Sequence, residues 1–180
     1  MISEIMSSDP IFPPPPAHER PPHHSSYFHQ PLGISAALLT ELSKPFYRKL
    51  LDEAKTAINS NNEMAVVLCQ AASEIATESA ITSLLTARNN GDLVDPILDL
   101  FRANDICNDG LRGVFVALSG DNPSQRPFWQ TLKAHHKRRN GVVHRGDKVS
   151  PSDAVESVTV VEEYVQYLEA LLGRVIPRST

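Results

Sequence analysis

The sequence predicts an all-α protein, an antiparallel bundle of about five to six helices behind a proline-rich tail. Three observations carry that prediction. Apolar residues recur at three- and four-residue spacing in several stretches between Phe46 and Leu172, the period of one helix face. Helix-start signals precede those stretches, the clearest being Ser150-Pro151 with Asp153 two residues further on. No alternating strand pattern competes, beyond short β-branched runs such as Val158–Val161.

Residues 1–35 hold eight of the fourteen prolines, including Pro13-Pro14-Pro15-Pro16, and four of the seven histidines: His18, His23, His24 and His29. Such a segment favours solvated polyproline II and buries too little apolar surface to offset its ordering entropy. It is expected to be disordered, with at most adventitious metal affinity at its histidines and a weak case for an SH3-type ligand. Residues 36–176 are expected to form one bundle domain, a length sufficient to bury a core without disulfides.

Within that domain a turn over Ala36–Leu42 precedes a first helix over Ser43–Ser60, capped by Ser43, with Pro45 in the first turn and Phe46, Leu50, Ala54, Ala57 and Ile58 inward. A second helix over Glu63–Ala87 carries two adjacent apolar lines, through Ala65, Leu68, Ala72, Ile75 and Ser79 and through Val67, Ala71, Glu74, Glu78, Ile81 and Leu85. So wide an apolar arc means a largely buried helix. A third helix follows over Leu93–Ala103, with Ile97, Leu98, Leu100 and Phe101 inward, and a short fourth is marked by Leu111, Val114, Phe115 and Leu118. A fifth starts near Ser124 and runs to at least Arg139, with Trp129, Leu132, His136, Arg139 and Val143 along one seam. The last begins at the Ser150 cap and turns Val155, Val158, Val161, Val165, Leu168 and Leu172 to the core.

The N-terminal residues lack a basic stretch followed by an apolar run, so no signal peptide is expected. No stretch shows the ~18 consecutive apolar residues of a bilayer span, so no membrane association is expected. Cys69 and Cys107 are the only cysteines and are expected as inert thiols in a reducing compartment, which points to a cytoplasmic protein. The net charge of −4 does not advertise nucleic-acid binding, but its distribution does. Arg126 to Lys148 holds seven basic residues against one acid, net +6, which leaves −10 for the rest. A basic patch on an acidic protein attracts a phosphate backbone, and a solvated helix face is the plainer alternative.

The chemistry-bearing stretch is His135-His136-Lys137-Arg138-Arg139-Asn140-Gly141-Val142-Val143-His144-Arg145. Arg139 falls on the seam of its helix, where a guanidinium requires a carboxylate, phosphate or carbonyl partner. Glu74 is one internal candidate, able to orient Arg139, although a boundary glutamate reaching solvent is the plainer reading. His144 follows Arg139 by five residues, about 140° around a straight helix, so the two side chains diverge. Gly141 can bend the segment, or a second copy of the chain can complete the site across a two-fold axis. Arginine, asparagine and histidine without a carboxylate cluster suit RNA cleavage without a metal. The 2′-hydroxyl is a nucleophile already in the substrate, histidine moves protons, and arginine stabilises charge on phosphoryl oxygens. Adjacent His135 and His136 point ~100° apart and no cysteine or carboxylate completes a set with His144, so no zinc site is expected.

The run from Arg139 to His144 resembles the Arg-x(4–6)-His motif of the HEPN superfamily, in the form with a polar residue after the arginine. The similarity extends over roughly residues 43–175 in helix order, and its nearest form is the Apea-like HEPN group of bacterial defence proteins. The resemblance implies a metal-independent, cofactor-free endoribonuclease of toxin or phage-defence type, acting as a homodimer with the motif at its interface and restrained by an antitoxin or a defence-system partner. Cleavage then leaves a 2′,3′-cyclic phosphate. Arg139 becomes the electrostatic stabiliser, His144 the acid–base group and Asn140 the orienting group, with Lys137, Arg138 and Arg145 on the RNA backbone. Some HEPN domains are non-catalytic, so an interaction or nucleic-acid-binding module is the alternative. Trp129 is expected in the core, with base stacking as its other possible role.

Overall fold

The computed structural model describes residues 43–101 and 106–176; the proline-rich tail, the Ala36–Leu42 turn and the end of the expected third helix lie outside them. Among the described residues there are six α-helices and no strand: α1 (Phe46–Ala57), α2 (Asn62–Thr86), α3 (Val94–Leu100), α4 (Asp109–Ser119), α5 (Trp129–Arg145) and α6 (Pro151–Val175). The all-helical expectation holds. α2 is the central element, packed on α1, α4, α5 and α6.

The starts of these helices follow local chemistry. Ser43 does not cap α1; Pro45 stands at the boundary in extended geometry (φ −55°, ψ 146°), and its carbonyl accepts from the amides of Arg48 and Lys49. The Asn61 side chain accepts from the Met64 amide and starts α2, and Asn108 does the same for α4 through Gly110 and Leu111. Where a long fifth helix is expected from Ser124, the chain makes a 3₁₀ turn over Pro123–Gln125, and α5 starts only at Trp129. The cause is Pro127, which drives the preceding Arg126 into extended backbone (φ −89°, ψ 149°). The Ser150 cap forms as expected, its hydroxyl accepting from the Asp153 amide at 3.1 Å with Pro151 at the first helical position.

The core is aliphatic: Leu51, Ile81, Leu84, Leu85, Ile106, Leu132, Val161 and Leu168 are shut from solvent around Phe115 and Tyr164. On α2 the buried face runs through Ala65, Val66, Cys69, Ala72, Ser73, Ala76, Thr77, Ala80 and Leu84. That face is rotated from the expected one, for Ser79 and Glu78 are exposed and Leu68 and Ile75 only half-buried. Small residues let α6 approach, and the Tyr164 hydroxyl reaches Thr77 Oγ1 at 2.8 Å. Thr77 Oγ1 also donates to the Ser73 carbonyl at 2.7 Å, which leaves the tyrosine as the donor between the two. Phe46 and Leu100, expected inward, are exposed. Among the described residues α2 alone is long and apolar enough to cross a membrane, but 56% of its most apolar stretch is buried inside the bundle, as befits a core helix.

Candidate nucleic-acid interface on the fifth helix

α5 runs unbroken through Arg139-Asn140-Gly141-Val142-Val143-His144, so Gly141 does not interrupt it. The seam is real at its start: Trp129, Leu132 and His136 are buried, and Trp129 is core with the Arg112 guanidinium 5.1 Å above its ring. It leaves the core at Arg139, which is half-buried, and ends at Val143, which is 49% exposed. His144 is exposed, on the open arc of α5 with Lys133, Lys137 and Asn140. With the helix continuous, Arg139 and His144 point about 140° apart, and one chain does not bring them together.

Arg139 donates from Nη1 to the side-chain oxygen of Asn140 at 3.2 Å. Its Nε–H is buried with no acceptor among the described residues, a desolvated donor that favours any acceptor brought to it. It forms no ion pair among the described residues. The expected Glu74 partnership is not seen: the Glu74 carboxylate takes a hydrogen bond from Gln70 Nε2 at 2.6 Å, one turn back on α2.

The adjacent Arg138 has a role that no local pattern announced. Nη1 donates to Ser157 Oγ at 2.6 Å, and Nη2 donates to Asp153 Oδ1 at 2.9 Å and Glu156 Oε2 at 2.7 Å. Expected on the RNA backbone, this side chain clamps α5 to α6 and is only 17% exposed. Lys137 is exposed and has no ion pair among the described residues, so it remains available to a phosphate. Arg145 is exposed and donates to Asp147 Oδ2 at 2.5 Å.

The end of α5 is fixed by Gly146, whose left-handed backbone (φ 69°) sends its amide to the Val142 carbonyl at 3.1 Å. The loop beyond is anchored on the start of α2. Asn62 Nδ2 donates to the Val149 carbonyl at 3.2 Å, and Glu63 accepts from the Val149 amide at 3.3 Å. Between this loop and α5 lies a cavity of about 270 Å³ lined by Ala134, Lys137, Arg138, Arg145, Asp147, Lys148 and Val149. Neither Arg139 nor His144 lines it. The basic run pointed to this region, but not to a cavity that Val149 and Lys148 also line. Among the described residues no group of three metal-ligating side chains occurs.

No family model, no curated protein and no solved structure matches this chain.

Proposed function

We propose that this protein is a metal-independent endoribonuclease of toxin or defence type, whose site is completed when two copies meet across a two-fold axis. The observation that carries the reading is Arg139: a half-buried guanidinium at the mouth of the α5 seam, held by Asn140, with no carboxylate partner among the described residues. Such a group is built to receive an anion from outside the chain. His144 lies on the open arc, where a substrate or a second copy reaches it.

In the proposed reaction the substrate's 2′-oxygen attacks the adjacent phosphorus and the P–O5′ bond breaks. The products are a 2′,3′-cyclic phosphate and a 5′-hydroxyl. His144, from the protomer opposite Arg139, takes the proton leaving the 2′-oxygen and returns a proton to the departing 5′-oxygen. Arg139 meets the charge gathering on the non-bridging oxygens, and Asn140 fixes the guanidinium plane.

A second reading, a non-catalytic nucleic-acid-binding or interaction module, draws support from the unbroken helix that parts Arg139 from His144. Incubating the full chain with a mixture of single-stranded and structured RNA in EDTA, beside His144→Ala, separates the two. Cutting by the parent alone, with cyclic-phosphate ends, is the expected result. Cutting that persists in His144→Ala overturns the role given to that residue, and RNA retained intact by both proteins favours the binding module.

A further inference from the structure

We infer that the cavity between the end of α5 and the loop over residues 146–150 is a phosphate-binding site, in which Asp147 holds Arg145 until a phosphate group displaces it. This goes beyond the cleavage reading and does not depend on it, since neither Arg139 nor His144 lines the cavity.

Four cations face the cavity from different directions: Lys137 and Arg138 from the middle of α5, Arg145 from its end and Lys148 from the loop. Ala134 and Val149 form the apolar part of its wall. At about 270 Å³ the space has room for a phosphoryl or pyrophosphoryl group. The tetrahedral oxygens of phosphate meet donors arriving from several sides, and a lysine ammonium and an arginine fork both serve it.

The cations are not equally committed. Arg138 is fixed by its three acceptors on α6, so it supplies positive potential but few free donors. Lys137 has no ion pair among the described residues, and Lys148, 92% exposed, lies 3.6 Å from Glu63. Arg145 is held by Asp147, yet both side chains are well exposed (61% and 47%), and such a pair is weak and easily exchanged. The pair lies directly over the backbone of Gly141: a Cβ there would stand 2.7 Å from Arg145 Nη2 and closer still to Asp147 Oδ2. A phosphate entering the cavity takes Arg145, and the Asp147 carboxylate swings to solvent.

The test is calorimetric titration of the full chain with inorganic pyrophosphate at low salt. One saturable site is expected. Lys137→Gln and Arg145→Gln each weaken it about tenfold, the loss of one charge-assisted contact. Lys133→Gln, on the same helix but outside the cavity, leaves it within about twofold. Asp147→Asn tightens it several-fold by freeing Arg145. Absence of saturable binding, equal weakening by Lys133→Gln and Lys137→Gln, or no tightening in a folded Asp147→Asn would each overturn the assignment; if Asp147→Asn does not fold, Arg145→Gln against Lys133→Gln decides. A second arm finds the source of the phosphate. Pyrophosphate that displaces single-stranded RNA in step with its own binding places an RNA backbone phosphate in the cavity, and RNA that stays bound places a free phosphorylated molecule there. Cleavage in EDTA is scored separately, so failure of this site and failure of the His144 reading remain distinct.

Discussion

Cys69 shows how far a single side chain's surroundings set its chemistry. It lies buried on α2, and burial pushes its thiol up to about 12 from an ordinary 9.0, which keeps it protonated and unreactive. Iodoacetamide at about pH 8 is therefore expected to modify Cys69 only after unfolding, as read by peptide mass spectrometry, and fast labelling of the native protein would contradict the packing. The contrast between neighbouring arginines is sharper. Helical spacing alone places Arg139 on the seam, and it is there. Nothing local separates Arg138 from it, because the acceptors that claim Arg138 lie 15 to 19 residues further on, across the α5–α6 contact. Arg138→Ala is expected to cost about 1–2 kcal/mol in urea unfolding, discounted for the half-exposed Asp153 and Glu156. Lys137→Ala, exposed and without an ion pair among the described residues, should stay within ~0.5 kcal/mol. Equal effects would deny the clamp.

Caps and prolines made most elements legible, and the failures have local causes. Ser150 with Pro151 marks the start of α6 correctly, and Ser150→Ala is expected to cost about 1 kcal/mol with the helix still formed. A loss near zero in denaturant melts would show the cap to be redundant with Pro151. Pro127 carried the warning that α5 starts late, since the residue before a proline avoids helix. The α2 face was less readable. This helix is packed by α1, α4, α5 and α6, so its apolar pattern is wide, and alanine, serine and threonine serve as buried contacts alongside leucine and isoleucine. Gly141 costs about 1 kcal/mol relative to alanine inside a helix, yet α5 continues through it, because packing outweighs propensity.

Across the whole molecule, carboxylates held by ion pairs and hydrogen bonds shape its response to acid. Arg126 beside Asp121 holds that carboxyl below its ordinary 3.8, and the Ser150 hydroxyl, with Arg138, does the same for Asp153. A depressed carboxylate contributes stability above its unfolded value and loses it as pH falls through the folded one. The melting temperature is therefore expected to drop between about pH 5 and pH 3, and Asp121→Asn should melt lower at pH 6 but fall less steeply below it. Parallel curves for parent and variant would remove Asp121 from the account. The divergence of Arg139 from His144 was legible in the sequence from their five-residue spacing; the cavity beside Lys137 was not, because the loop that bounds it is placed by Asn62 and Glu63 from the far start of α2. Mixing Arg139→Ala with His144→Ala chains tests the central claim most directly. If each site takes its arginine from one protomer and its histidine from the other, two inactive variants regain about a quarter of the parent's RNA cleavage on subunit exchange, from one intact site in the half of dimers that are mixed. Variants that stay inactive after demonstrated exchange would contradict the shared site.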